Sequence, residues 1–134
     1  LVRHVGLSEV TVAELEEADG ILDIVSVQNL YNVGDRSSEA LVDHCTPRGI
    51  GFIPWFPLGN RALVSTDGPL ASVAAEAGCS PAQAALAWLL QHSPVMLPIP
   101  GTGSIDHLIE NCEAGRVRLS AEQMATLDAL PATA

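Results

Sequence analysis

Apolar and polar positions along the chain predict short strands that alternate with helices. Runs rich in Val and Ile predict strands at residues 2–7, 24–28, 50–55 and 95–97. Helical spacing follows at residues 12–18, 38–45, 69–77, 81–91, 105–114 and 121–130. Three helix starts carry the residues of a capping box, in the pairs Thr11 and Glu14, Ser80 and Gln83, and Ser120 and Gln123. The alternation predicts parallel strands joined by helical crossovers.

The number of strand-helix units predicts part of a larger barrel. Eight such units close a (β/α)8 barrel of about 250 residues, so four units make about half of one. The predicted fold class is therefore α/β: the second half of a (β/α)8 TIM barrel, with four βα units and a C-terminal helix. Residues 1–134 would form this partial barrel with no second domain. An open half-barrel leaves its inner face and its sheet edges uncovered, which predicts self-association.

A small doubly wound sheet is the alternative architecture. In that fold, the segment GTGSID would begin a dinucleotide-binding fingerprint. Asp106 stands in place of the third glycine, and the chain continues into helices where the fingerprint needs a further strand. The half-barrel is therefore favoured.

Residues 95–111 join a strand to a helix through a glycine loop. Gly101 and Gly103 permit positive φ angles or a close approach to a ligand. The unpaired N–H groups of the helix that follows Ser104 point back toward this loop, as in phosphate-binding turns. The same pattern also occurs in plain turns that need glycine for geometry alone, but the surrounding motifs favour an anion site.

Composition and charge narrow the class of protein. With 48% hydrophobic and 16% charged residues, the chain is typical of a globular domain. The formal net charge is -10, which predicts no nucleic-acid surface. The apolar runs are too short to span a membrane, and no signal-peptide core follows Arg3 and His4. Three cysteines without a CxxC spacing predict reduced thiols in a cytoplasmic protein. Because Leu1 leads directly into a strand, we expect the chain to begin inside a longer structure.

Four segments in order resemble the second half of an aldo-keto reductase: VRHVGLSEV, VSVQNLYN, GIGFIPWFPLG and MLPIPGTGSIDHLIEN. The resemblance covers essentially the whole chain, from the fifth barrel strand to the C-terminal helices. It implies a (β/α)8 oxidoreductase that reduces small aldehydes or ketones by hydride transfer from NADPH, less often NADH, without a metal ion.

The resemblance also implies a set of cofactor-binding residues. Ser8 and Gln28 match the side chains that bind the nicotinamide carboxamide, and Trp55 matches the aromatic residue that stacks on the nicotinamide ring. Glu9 replaces the usual asparagine, which weakens that part of the carboxamide site. The pyrophosphate segment matches Phe56, Pro57, Leu58 and Gly59, and the adenosine side matches Gly101, Thr102, Gly103, His107, Glu110 and Asn111.

Two opposing features set the predicted cofactor preference. Many members of the family have lysine where this chain has Gly101 and arginine where it has His107, and their absence weakens the site for the 2′-phosphate. The N–H groups of the helix after Ser104 and the Thr102 hydroxyl favour a phosphate. NADP(H) is therefore predicted to be favoured modestly, with NAD(H) possible.

No catalytic residue is predicted within the chain. The family's catalytic tyrosine and its partners lie in the first half of the barrel. Tyr31 is the only tyrosine here, and the chain has no lysine to lower its pKa. Arg36 and Glu39 are predicted to form a structural pair at a helix start. The chain is therefore predicted to be the cofactor-binding half of a reductase, inactive alone. The alternative is a non-catalytic half-barrel that serves as a binding or interaction module.

Overall fold

The computed structural model describes residues 1–60 and 63–131. Positions 61 and 62, between the third predicted strand and the helix predicted at residues 69–77, lie outside the described residues, as do positions 132–134 of the predicted domain. The strands are β1 (Val5–Ser8), β2 (Ile24–Leu30) and β3 (Gly51–Trp55). The α-helices are α1 (Val12–Asp19), α2 (Glu39–Cys45), α3 (Ala71–Ala77), α4 (Pro81–His92), α5 (Ile105–Glu113) and α6 (Ala121–Asp128). Short 3-10 helices follow α2 at Thr46–Arg48 and α5 at Ala114–Arg116.

The three strands form one parallel sheet in the order β1-β2-β3, which confirms the predicted parallel pairing. Ser8 pairs with Gln28, and Leu30 pairs with Trp55, so the carboxyl ends of all three strands lie at one edge. The first strand begins at Val5, later than the predicted residue 2.

The predicted fourth strand is reduced to a single parallel bridge between Met96 and Phe52. Two backbone hydrogen bonds hold it, from Phe52 N to the Val95 carbonyl and from Leu97 N to the Phe52 carbonyl, each 2.8 Å long. The next hydrogen bond of this parallel ladder would run from residue 54 to the Leu97 carbonyl, and Pro54 has no N–H group to donate, so the ladder ends there. The position of the predicted strand is correct, but its extent is wrong.

Local signals set the helix boundaries. All three predicted capping boxes are present, at the starts of α1, α4 and α6. Gly49 and Gly78 lie at the ends of helical segments with φ angles of 68° and 66°, the left-handed conformation that glycine adopts at low cost.

The helices cover one face of the sheet and leave the other open. Val27, Phe52 and Pro54 are buried among helical side chains, including Trp88 and Leu89 of α4. Since side chains alternate along a strand, the neighbours of these residues point to the uncovered face. In the part of the chain that the structure describes, no helix has the length and apolar character needed to cross a membrane.

Candidate functional site

Three of the sequence-predicted residues share the uncovered face of the sheet at its carboxyl edge. Ser8 and Gln28 are register partners, and the Ser8 hydroxyl donates to the Gln28 carbonyl at 3.1 Å. Gln28 also pairs with Ile53, which lies two residues before Trp55 and therefore on the same face. A hydroxyl, an amide and an indole ring thus stand side by side where parallel strands end.

Glu9 connects this group of residues. Its backbone has a φ angle of 54°, a left-handed conformation that costs free energy in most residues but that asparagine tolerates. The Glu9 amide donates to the Gln28 carbonyl at 3.0 Å. Its Oε1 atom accepts hydrogen bonds from the Leu30 amide at 3.2 Å and from Trp55 Nε1 at 2.5 Å. The sequence identified Glu9 only as a departure from the usual asparagine and gave no sign of its contact with Trp55.

The segment after β3 forms one wall of a cleft. Phe56 has a φ angle of 57°, and its carbonyl accepts from Asn32 Nδ2 at 3.1 Å. Gly59 has the same φ angle, and a Cβ atom there would lie 2.7 Å from Leu63 Cδ2. The cleft joins the predicted pyrophosphate segment to the glycine loop, and its lining consists of Phe56, Pro57, Leu58, Gly59, Asn60, Val64, Ile99, Pro100 and Gly101.

The glycine loop does not use the left-handed conformation that glycine permits. Gly101 and Gly103, both among the described residues, do not have positive φ angles, so of the two predicted alternatives only a close approach to a ligand is left. A Cβ atom at either position would meet open space within 4 Å, which leaves room beside the backbone. Thr102 Oγ1 accepts from the Ser104 amide at 3.1 Å, and Ser104 Oγ caps α5 by accepting from the His107 amide at 3.4 Å.

The three residues on α5 that were predicted to bind the adenosine have different environments. His107 is exposed in the first turn. The Glu110 carboxylate accepts a short hydrogen bond from the Ser80 hydroxyl, and the Glu110 carbonyl accepts from Gln83 Nε2 at 3.1 Å. Glu110 therefore fastens α5 to the start of α4. Asn111 lines an apolar depression together with Leu86, Leu90, Pro98, Pro100, Leu108 and Cys112.

The side chains of Arg36 and Glu39 have separate partners, so their predicted side-chain pairing is wrong. The Arg36 guanidinium donates to the carbonyls of Asp128 at 2.6 Å and Leu127 at 2.9 Å, and it lies 5.5 Å from the centre of the Trp88 ring. The Glu39 carboxylate accepts from the Tyr31 hydroxyl at 2.6 Å. These contacts join segments that are far apart in sequence, which helical spacing alone does not reveal.

Tyr31 lies inside the core and is 0% exposed. Burial first, and then the hydrogen bond and charge of Glu39, raise the pKa of Tyr31 well above its ordinary value. The hydroxyl is therefore held in its protonated form, away from the open face of the sheet.

Comparison with known proteins gives a consistent assignment. The model of the Aldo/keto reductase family matches residues 1–132. The chain is 50% identical over 128 residues to an uncharacterized oxidoreductase of Schizosaccharomyces pombe, and 47% identical over 130 residues to pyridoxine 4-dehydrogenase of Escherichia coli. These matches cover 96% and 97% of the chain, and 42% and 45% of the relatives. The chain thus spans less than half the length of these two relatives.

Two solved structures share the fold over a similar span. A thermostable aldo-keto reductase in complex with the inhibitor epalrestat is 36% identical, with a TM-score of 0.86, and the match covers 96% of this chain and 48% of that one. An aldo/keto reductase from Klebsiella pneumoniae in complex with NADP and acetate is 28% identical, with a TM-score of 0.81, over 93% of this chain and 47% of that one.

Proposed function

Because the chain belongs to the aldo/keto reductase family, we propose that it is the cofactor-binding half of an NAD(P)H-dependent enzyme that reduces aldehydes or ketones. The fold is that of part of an aldo-keto reductase barrel. A cytoplasmic location belongs to the same proposal, and the free thiols of Cys45, Cys79 and Cys112 agree with it.

One observation carries the proposal: Ser8, Gln28 and Trp55 lie on the uncovered face at the carboxyl edge of the sheet. In (β/α)8 barrels, ligand-binding and catalytic residues lie at the carboxyl ends of the strands. Ser8 and Gln28 offer the hydroxyl and amide groups that a carboxamide needs, while Trp55 offers an aromatic face that is 36% exposed. When bound, the nicotinamide would supply the hydride.

The cleft between Phe56 and Gly101 supports the placement of the pyrophosphate. Gly59 keeps the wall of this cleft close to Leu63, and the open space beside Gly101 and Gly103 lets a ligand approach the backbone. The start of α5 adds N–H groups and the positive end of a helix dipole. NADP(H) is therefore the proposed cofactor, with NAD(H) as the weaker ligand, and the Klebsiella pneumoniae structures in complex with NADP or NADPH support this choice.

The proton required for carbonyl reduction would come from the other half of the barrel. Hydride transfer to a carbonyl carbon leaves a negative oxygen, which a general acid must protonate. Tyr31 is buried and its pKa is raised, so it does not fit that role. We therefore assign cofactor binding to this chain and catalysis to the complete barrel.

A chimera tests this division. The chain is joined to the N-terminal half of the Escherichia coli pyridoxine 4-dehydrogenase, and binding of NADPH is followed by calorimetry in parallel with aldehyde reduction. We expect the isolated chain to bind the cofactor without turnover, and the chimera to do both. Trp55→Ala should weaken binding about two- to tenfold, the size of an aromatic contact.

Ile21→Ala serves as the control, because Ile21 is exposed at the opposite end of the sheet, just before β2. The proposal fails if the folded chimera binds neither NADPH nor NADH. Aldehyde reduction by the isolated chain that disappears in Tyr31→Phe would overturn the assignment of the acid.

The alternative function as an interaction module rests on the exposed apolar residues near the open face. Leu97 and Ile99 are 58% and 48% exposed. If they mediate self-association, sedimentation should show a dimer that Leu97→Asp dissociates. A dimer without cofactor binding would favour the module over the reductase.

A further inference from the structure

Hydrogen bonds of Glu9 link the carboxyl ends of all three strands. Glu9 follows the last residue of β1, and its Oε1 atom accepts from the backbone of Leu30 at the end of β2 and from the side chain of Trp55 at the end of β3. Its own amide donates to the Gln28 carbonyl. A single residue therefore fixes the spacing of three strand ends.

Two features indicate that this contact is more than core packing. Glu9 is exposed and the Trp55 ring is 36% exposed, so neither side chain belongs to the buried cluster. Glu9 also retains a left-handed backbone with a φ angle of 54°, a conformation that non-glycine residues adopt mostly where surrounding contacts impose it. The conformation directs the carboxylate across the sheet edge toward the indole.

The bond to Trp55 constrains the orientation of the indole ring. An exposed tryptophan can rotate about two side-chain bonds, whereas a hydrogen bond from Nε1 to a carboxylate restricts both. The Phe56 ring lies nearby, with its centre 6.3 Å from that of Trp55. The ring is therefore held before any ligand arrives.

We propose that Glu9 is a positioning residue for the nicotinamide site, which holds the Trp55 indole in the orientation that stacks on the cofactor ring. The proposal rests on the proposed function of Trp55. It gives Glu9 a different role from a carboxamide ligand, because its Oε1 atom is directed to Leu30 and Trp55.

Two substitutions separate the reach of the side chain from its charge. Asp tolerates a left-handed backbone and keeps the negative charge but is one methylene shorter, so Glu9→Asp should lose the bond to Trp55 without new strain. Glu9→Gln keeps both the length and an acceptor oxygen. Trp88 is the other tryptophan, and its Nε1 donates to Asp128 Oδ1 at 2.9 Å, which provides an internal control in the same molecule.

The experiment records the two indole N–H resonances of the isotopically labelled 134-residue chain, without and with NADP⁺. We expect Glu9→Asp to shift the Trp55 resonance upfield and speed its exchange with water, while the Trp88 resonance stays in place. The dissociation constant for NADP⁺ should rise about two- to tenfold, since the indole must then be ordered during binding. Glu9→Gln should leave both quantities as they are in the unmodified chain, and Glu9→Asp should add nothing in a Trp55→Phe background.

An unchanged Trp55 resonance and NADP⁺ affinity in Glu9→Asp would overturn the proposal, as would a Glu9→Gln variant that behaves like Glu9→Asp. A failure of the proposed function has a different signature. In that case NADP⁺ would leave both indole resonances of the unmodified chain in place, although the Glu9 variants still move the Trp55 resonance in the absence of cofactor. That result would show that the hydrogen bond between Glu9 and Trp55 has no role in cofactor binding.

Discussion

The hydroxyl of Tyr31 lies 2.9 Å from Nε2 of His92, 61 residues further along the chain. Glu39 completes the cluster, with one carboxylate oxygen 2.6 Å from the Tyr31 hydroxyl and the other 2.7 Å from the same His92 nitrogen. The Tyr31 ring packs against Phe52 edge to face and stacks on Trp88. The cluster joins the loop after β2 to α2 and α4, so Tyr31 is a structural residue.

Removal of the Tyr31 hydroxyl should therefore lower stability and leave cofactor binding intact. We expect Tyr31→Phe to reduce the free energy of unfolding by about 1–3 kcal/mol, because a hydrogen bond to a carboxylate is lost in a mostly buried site. Urea unfolding at fixed protein concentration measures the change. In the Tyr31→Phe variant, the further substitution His92→Gln should lower the free energy of unfolding by less than it does in the unmodified chain, since both residues belong to one network. Weaker NADPH binding in Tyr31→Phe would contradict a purely structural role.

Stability should also decline at alkaline pH. Burial raises the pKa of Cys45 from about 9 to about 11, with a smaller opposing effect from the Arg48 charge. Burial and Glu39 raise the pKa of Tyr31 above its ordinary value of about 10. A raised pKa means that the folded state retains the proton longer than the unfolded state does. The resulting stabilisation is complete below pH 9 and is lost as the pH rises through the folded values.

Urea midpoints at pH 7.5, 9 and 10.5 test this decline. The Tyr31→Phe and Cys45→Ala variants should each lose stability less steeply above pH 9 than the unmodified chain, since each lacks one of the titrating groups. If the urea midpoint fell equally with pH in all three proteins, these two groups would be excluded as the cause of the decline.

The three cysteines should react with a thiol reagent in a fixed order. Cys112 is exposed, Cys79 is half-buried with a pKa raised by burial, and Cys45 is fully buried. Only the thiolate reacts, so burial slows the reaction through both access and pKa. At pH 8 we expect Cys112 to be modified first, Cys79 more slowly, and Cys45 only when the protein opens.

Mass spectrometry of timed samples identifies the modified positions. Cys112→Ser should abolish the fast phase and leave the slower ones unchanged, whereas modification of Cys45 in the first phase would show that the core is open.

Features set by neighbouring residues could be predicted from the sequence. Thr11 with Glu14, and Ser80 with Gln83, mark helix starts because each cap needs only a hydroxyl and an acceptor three residues apart. The shared face of Ser8 and Gln28 follows from the resemblance and from strand alternation.

Contacts between distant segments could not be predicted in this way. Glu9 reaches Trp55 across 46 residues, and Ser80 reaches Glu110 across 30. Neither pair has a periodic signal, because their approach depends on how the strands and helices pack. Arg36 shows the same limit, since its partners are carbonyl groups that any residue would carry.

The preference for NADP(H) should be modest and should depend on His107. Thr102 Oγ1 already accepts from the Ser104 amide, which leaves its hydroxyl proton to donate to a phosphate. Asp106 in the first turn of α5 opposes a phosphate by charge repulsion. His107 is exposed in the same turn, where its imidazole can donate a hydrogen bond to a phosphate. The ratio of NAD⁺ to NADP⁺ dissociation constants should therefore be modestly above one and should fall when His107 is replaced.

Calorimetric titrations of both cofactors in the chimeric barrel measure the ratio of the two dissociation constants. His107→Ala should bring this ratio closer to one, because alanine has no group that can donate to a phosphate. His44→Ala is the matched control, since His44 lies on α2 beside Glu16 and away from the glycine loop. A ratio that is unchanged in His107→Ala, or that falls in His44→Ala as much as in His107→Ala, would show that a group other than His107 sets the preference. The helix N-terminus and Thr102 would then account for phosphate binding without His107.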